Sequence, residues 1–405
     1  MTKKCLLVSP DFPPPLIGGS LVYISTLVNN SKDSFDIITS LTKNKKDEVI
    51  EIPDKILRSS FIVDSSNPTR FKLLKMYFYI FFLIPFMVFR TPYKAIIANS
   101  GVIGNSILIF LGKLLKIKVI CIAYGEELNA PLKSKTFKNI LKKNLIKFFY
   151  KRATGFIVVC HFCKNLLTNN FGIENNKIDV VASCLSLKKF SEKLNISKKK
   201  NSILSVGRLI ERKGFHLLIM SVLRLREKIE NLTLTIVGQG PKRESLTKII
   251  HENNASDFIL LQTEVDDEKL KLIYETSELF VLANHELKNG DTEGCPSVFS
   301  EAMLYELPSI GGKYAGVETA IINNENGLVI DMKSESALDK AILQILRNKS
   351  LRDNFILNGK KKLLRDHHPE VVGKQFEKSI ERFLNDKPAV DFQKKFNSST
   401  PSINI

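Results

Sequence analysis

Glu293 and Glu301 stand with seven residues between them in DTEGCPSVFSEAM, residues 291–303. Pro296 is favoured in the first turn of a helix, so Glu293 falls in the loop before that turn and Glu301 about one turn inside it. The first-turn amides of Ser297 and Val298 are then donors suited to a phosphate. Glu301 can accept hydrogen bonds from sugar hydroxyls such as those of a ribose. The bland reading is an ordinary helical glutamate and a charge on the helix dipole, worth under ~1 kcal/mol. A second constellation is SVGRLIERKG, with Arg208 directly after an apolar run and Lys213 five residues on. Two fixed cations there could neutralise a diphosphate, the arginine through a bidentate fork; read blandly they are solvated loop charges. Gly238 and Gly240 in VGQGP make a turn that allows close backbone approach. Gly18-Gly19 precedes a helix expected to start around Ser20, where an anion could approach the backbone. It is not G-x-G-x-x-G, so the nicotinamide fingerprint is absent. Tyr124, Gly125 and Glu126 follow another apolar run.

These residues need strands and helices to position them. Buried strands are predicted at 5–9, 35–39, 95–99, 118–123, 155–159 and 178–182, and then at 201–207, 232–238, 258–262, 279–283 and 308–312. Helical patterns occupy 214–229, 241–253, 266–277, 297–306, 334–347, 350–364 and 369–384. Such alternation predicts parallel, doubly wound α/β sheets. The polar, lysine-rich stretch 191–201 reads as a linker. At 405 residues the chain suits two domains. The expectation is an α/β protein of two Rossmann-like domains facing across a cleft. The first spans 1–190 and the second 191–368. A helix at 369–385 precedes a poorly ordered tail at 386–405. In open α/β sheets ligands lie beyond the carboxyl ends of the strands, where Arg208, Glu293 and Tyr124 all fall.

Together, Gly18-Gly19, G-R-x4-K-G and E-x7-E resemble the family 4 retaining glycosyltransferases of GT-B architecture, over roughly residues 3–385. The resemblance implies transfer of a sugar from a nucleotide-sugar donor. Arg208 and Lys213 would hold the donor diphosphate and Glu301 the nucleotide ribose. Glu293 would contact the hydroxyls of the transferred sugar, with Gly19 approaching the phosphate from the other domain. The donor-binding set is then Gly18, Gly19, Arg208, Lys213, Gly238, Glu293, Gly294, Ser297, Val298 and Glu301; Arg208, Lys213, Glu293 and Tyr124 would be catalytic. The leaving phosphate oxygen would help deprotonate the acceptor hydroxyl. No D-x-D occurs, which fits an enzyme with no metal and no cofactor. The family's last helix crosses back to the first domain, as 369–385 could do. Departures fall at Tyr124-Gly125, where many relatives have His-Gly, at Cys295-Pro296 within the E-G-F-G turn, and at Thr319, where glutamate is common. ASCLS, residues 182–186, replaces the usual P-N-G-V-D. Pro296 lacks an N–H, so one potential phosphate donor is gone.

Charge is uneven. Residues 1–190 hold 28 basic and 12 acidic side chains, and the remainder 32 and 30. A basic half joined to a neutral one points to a local patch rather than general nucleic-acid affinity. Residues 131–153 carry eight cations and no acidic residue, with apolar side chains largely along one helical side. That pattern suits an anionic membrane surface; the alternative is a helix packed on the sheet with a solvated basic face. Residues 71–90 are apolar on all sides, a buried crossover helix or part of a membrane-facing patch. The longest apolar run, 76–89, is 14 residues and holds Pro85, short of the ~20 that span a bilayer. The chain is expected to be cytoplasmic and peripheral on the inner face of a membrane, acting on a lipid-linked or saccharide acceptor in surface polysaccharide, lipopolysaccharide or glycolipid synthesis. Six cysteines without framework spacing read as reduced thiols. The lone Cys160-x-x-Cys163 has no partner motif for a metal, and His161 reads as structural. Competing readings are a non-catalytic nucleotide-sugar-binding subunit recruited to a membrane and a sugar-nucleotide epimerase.

Overall fold

The computed structural model describes residues 4–13, 19–32, 34–41, 56–63, 69–129, 137–185, 196–288 and 290–387. Gly18, residues 191–195 of the expected linker, residues 131–136 and the tail beyond 387 lie outside the described residues. The chain forms two compact units, residues 1–186 with 368–400, and residues 187–367 with 401–405.

In unit 1 the chain runs β1 (Cys5–Val8), α1 (Gly19–Asn29), β2 (Phe35–Ser40), β3 (Ile56–Ser59), α2 (Arg70–Arg90), β4 (Ala95–Ala98), α3 (Gly101–Leu114), β5 (Lys118–Ala123), α4 (Glu126–Asn129), α5 (Phe137–Tyr150), β6 (Gly155–Val158), α6 (His161–Leu166) and β7 (Ile178–Val180). All seven strands are parallel in the order β3-β2-β1-β4-β5-β6-β7. Strands such as CLLV and AIIA are apolar throughout because a parallel sheet is covered on both faces.

Unit 2 continues β8 (Ser202–Val206), α7 (Phe215–Leu225), β9 (Thr233–Val237), α8 (Arg243–Glu252), β10 (Ile259–Gln262), α9 (Asp267–Thr276), β11 (Leu279–Leu282), α10 (Val298–Leu304), β12 (Ser309–Gly312), α11 (Val317–Ala320), β13 (Gly327–Ile330), α12 (Glu335–Arg347) and α13 (Lys349–Lys362). Its parallel order is β10-β9-β8-β11-β12-β13. Both sheets reverse winding direction once, between β1 and β4 and between β8 and β11. Those switch points open a crevice at the carboxyl ends of the strands.

The final helix, α14 (Pro369–Leu384), belongs to unit 1. Arg382 forms a two-pronged ion pair with Asp179 in the middle of β7, at 2.9 and 2.8 Å, and both residues are buried. Phe376 stacks on Phe35 of β2. Lys118 Nζ donates to the terminal carbonyls of α14, Phe383 at 3.2 Å and Leu384 at 2.8 Å, capping orphan acceptors of the last turn. Close seating requires glycines: a Cβ on Gly155 would lie 2.2 Å from the Phe383 ring, and one on Gly373 would lie 2.3 Å from the Asn30 carbonyl.

Two strands escape the sequence pattern. Both are edge strands: β3 holds Arg58 and is half-buried along its length, and β13 is GLVI between polar stretches. Helix α2 excludes one of the two readings of residues 71–90. It is 21 residues long, and by length and composition alone long and apolar enough to cross a membrane. Pro85 sits inside it without ending it. It is not a buried crossover: its buried residues are Met76, Ile80 and Ile84.

Candidate active site

Unit 2 gathers its chemistry at the carboxyl ends of β8, β9 and β11. After β8 the chain passes Gly207 and Arg208 and turns through a short 3-10 helix, Glu211–Lys213, into α7. Gly214 closes that turn at φ 68°, and a Cβ there would lie 1.9 Å from the Ala283 carbonyl. Only glycine lets the turn sit this tightly against the end of β11. The amide of His285 donates to the Arg212 carbonyl at 3.0 Å, tying the turn to the loop after β11. Gly238, after β9, packs as closely on the other side, where an added Cβ would meet the Gly207 carbonyl at 1.9 Å.

This backbone arrangement places cations against carboxylates. Lys213 Nζ lies 2.9 Å from Glu293 Oε2, and Arg212 Nε donates to Glu293 Oε1 at 2.7 Å. Arg212 Nη1 also reaches Asp291 Oδ2 at 3.3 Å. Glu293 is 7% exposed, and Arg212 and Lys213 are each 9% exposed. Burial pushes the Glu293 carboxyl up, but the charges of Lys213 and Arg212 pull harder, leaving it below its ordinary value. A carboxylate offers about four acceptor sites, so two ion-pair donors leave capacity for further hydroxyls.

Glu301, half-buried in α10, accepts the Tyr274 hydroxyl at 2.9 Å. Tyr274 is buried, stacked on Tyr305 with ring centroids 5.1 Å apart, and its hydroxyl is pushed far up by burial and by Glu301. It therefore remains a proton donor that fixes one carboxylate oxygen. The loop leading to α10 holds Gly294, and Gly294 accepts the Gly316 amide at 2.8 Å, linking it to the turn before α11. Ser297 precedes α10 without a side-chain capping bond and Val298 opens it; their amides belong to the turn that has no intrahelical acceptors.

Of the residues singled out by sequence, Arg208, Lys213, Gly238, Glu293, Gly294, Ser297, Val298 and Glu301 all lie at this end of the unit 2 sheet. They differ in environment: Arg208 is exposed, whereas Lys213 is paired directly to Glu293. Gly19 and Tyr124 belong to unit 1. Gly19 opens α1, after β1, and Tyr124 follows β5, its ring edge-on to Tyr23 at 5.9 Å. Tyr23 donates to the Val181 carbonyl at 2.8 Å, joining the carboxyl ends of β5 and β7. Gly18 lies outside the described residues. Sequence reasoning missed Arg212, Asp291 and Tyr274. The one available signal was the pairing of R-K in one loop with D-x-E in another. Cys160 and Cys163 are buried with sulfurs 3.2 Å apart, and no group able to hold a metal ion occurs among the described residues.

Two sequence profiles divide the chain as its fold does: Glycosyltransferase Family 4 matches residues 18–188 and Glycosyl transferases group 1 matches residues 187–362. An uncharacterized glycosyltransferase of Methanocaldococcus jannaschii is 24% identical over 95% of this chain and 100% of its own length. The N-acetylgalactosamine-N,N'-diacetylbacillosaminyl-diphospho-undecaprenol 4-alpha-N-acetylgalactosaminyltransferase of Campylobacter jejuni is 24% identical over 84% and 89%. Among solved structures, Anabaena HepE in complex with UDP superposes with TM-score 0.69 at 12% identity, covering 93% of this chain and 99% of that one. Sucrose-phosphate synthase of Thermosynechococcus elongatus gives 0.72 at 18% identity, covering 95% and 100%. Two parallel-sheet α/β units of this kind are the GT-B architecture. The chain belongs to glycosyltransferase family 4, and its activity is sugar transfer.

Proposed function

We propose that this enzyme moves a sugar from a nucleotide-sugar donor to a lipid-linked or saccharide acceptor, with retention of anomeric configuration, in cell-surface polysaccharide or glycolipid synthesis. The observation that carries the donor reading is the convergence of Arg208, the Lys213–Glu293 pair and the Tyr274–Glu301 pair at one switch point. Arg208 and Lys213 take the diphosphate. Glu301, oriented by Tyr274, takes the ribose. Glu293 sets the position of Lys213 and offers its remaining acceptor sites to the transferred sugar. As the donor bond breaks, negative charge grows on the leaving diphosphate, and fixed cations stabilise that charge more than the ground state. A diphosphate oxygen accepts the acceptor proton on the same face, which yields retention. Gly18, Gly19 and Tyr124 are assigned to donor binding. The reaction requires no metal ion or cofactor.

The acceptor reading is supported by relatives. The Campylobacter jejuni protein is named for a diphospho-undecaprenol, and Staphylococcus aureus CapM, 24% identical over 58% of this chain and 63% of its own, for capsular polysaccharide biosynthesis. We place the enzyme on the cytoplasmic face of a membrane, with residues 131–153 adsorbed to anionic lipid by charge. Screening UDP-, GDP- and ADP-sugars for thermal stabilisation tests the donor, since ligand at 100 times Kd adds about 2.7 kcal/mol. The best binder is then incubated with polyprenyl-diphosphate sugars and the product anomer read by proton NMR. A product with the donor's configuration is expected; an inverted anomer overturns the mechanism, and binding without turnover favours a non-catalytic subunit.

A further inference from the structure

Helix α2 carries its apolar surface on the wrong side for a soluble protein. Met76, Ile80 and Ile84 form one buried stripe at a spacing of four. Directly opposite, at 3.6-residue periodicity, run Phe71, Leu74, Phe78, Phe82, Phe86 and Phe89, all exposed, with Phe89 at 82% and Phe78 at 68%. An amphipathic surface helix would place polar side chains there. The face does not stop at α2. Phe78 meets Phe82, Phe82 meets Phe81, Phe81 stacks on Phe110 of α3, and Phe110 meets Phe149 of α5. Exposed Leu114, Leu141, Leu145 and Phe148 widen it. A contiguous apolar patch of this kind marks an interaction surface.

Charge selects the occupant. Between Asp64 and Glu174 the sole acidic residues are Glu126 and Glu127, neither on α2, α3 or α5. Cations edge the patch and fold over its rings: Lys75 over Phe71 and Arg90 over Phe86, both at 4.5 Å, and Arg152 over Phe148 at 3.5 Å. Rings with snorkelling cations at both helix ends match the headgroup–acyl boundary of an anionic bilayer. A second copy of the chain, paired through this face, would oppose one cationic rim to another. A transmembrane α2 is excluded by topology, because β3 and β4, which it joins, hydrogen-bond into one sheet through β2 and β1.

We propose that the α2–α3–α5 face is a bilayer seat, with α2 lying in the membrane plane and its phenylalanines inserted at the acyl boundary of an anionic leaflet. The proposal rests on the membrane association put forward above and replaces adsorption by charge with insertion. The chain has no tryptophan, so Phe89→Trp introduces a single depth probe into the full-length protein. With phosphatidylcholine vesicles containing about 30% phosphatidylglycerol at about 0.15 M salt, co-flotation, a blue-shifted indole and quenching by brominated acyl chains are expected. Phe78→Ser/Phe82→Ser/Phe86→Ser, which keeps every cation and alters exposed positions only, weakens vesicle affinity at least ~10-fold with an unchanged circular dichroism spectrum. Flotation that salt abolishes, with an unshifted indole, overturns insertion and leaves charge adsorption standing. No flotation overturns both. A concentration-dependent dimer that the triple variant abolishes, without vesicle binding, assigns the face to a second copy and overturns the proposal.

Discussion

Glu293→Ala isolates the most highly constrained contact of the site. In the native protein the carboxylate sits 2.7 Å from Arg212 and 2.9 Å from Lys213, with all three residues over nine-tenths buried. Removing it leaves two buried cations facing a gap, with Asp291 as one remaining neighbour at 3.3 Å from Arg212. Breaking a buried pair from one side costs about 3–5 kcal/mol, because the uncompensated charge stays behind. With a urea m-value of about 2 kcal/mol/M, the midpoint falls by about 1.5–2.5 M. Hydrogen exchange read by mass spectrometry at β8 and β11 localises the loss to unit 2. Replacing Arg212, Lys213 and Glu293 together by Met removes the charges with the pair and recovers most of the stability, which a simple cavity would not. The pH dependence follows from the direction of the shift. The folded carboxyl titrates below its unfolded value of about 4.3, so its contribution is fully present above that pH and is lost as pH falls through the folded value. Glu293→Gln flattens that acidic slope. A loss under ~1 kcal/mol in Glu293→Ala, or an acidic slope unchanged in Glu293→Gln, would refute this reasoning.

Three further outcomes follow from the geometry. Gly238→Ala drives a Cβ into the Gly207 carbonyl and displaces the Arg208 loop; calorimetry should show nucleoside diphosphate affinity reduced at least ~10-fold with the unit still folded. Tyr274→Phe keeps the stack on Tyr305 but removes the donor to Glu301, weakening nucleoside diphosphate binding by about 0.5–1.5 kcal/mol, measured in the same way. Arg382→Ala strands Asp179 in unit 1 and lowers its stability by about 3–5 kcal/mol, seen as faster exchange of β6 and β7 amides with unit 2 unchanged.

Much of this architecture was legible because strand runs such as AIIA and LFVL are continuous, apolar and evenly interrupted by helical periods. Strands β3 and β13 were not, since ILRS carries Arg58 and GLVI is a short run between polar stretches, whereas the other edge strands, β7 and β10, lie in longer apolar runs. At the site, glycine turns and charged residues just past strand ends were readable from local order. The state of those charges was not. Arg212 looks like any loop arginine until it meets Asp291 and Glu293, some eighty positions away, and Tyr274 looks like core until its hydroxyl reaches Glu301. Helix α2 shows the same limit: its composition is apolar all round, and only the fold decides that Ile80 faces inward and Phe82 outward.

The most direct test of the donor site is calorimetric titration of the wild-type chain and Arg208→Ala with UDP, GDP and ADP, using Lys248→Ala, an exposed helix position, as control. One nucleotide is expected to bind the wild type and the control alike. Arg208→Ala should lose about 1.5–3 kcal/mol, roughly 10- to 150-fold, as a charge-assisted contact to the diphosphate disappears. Equal affinity of Arg208→Ala and wild type, or binding of no nucleotide by any of the three, would contradict the placement of the donor diphosphate at the end of β8.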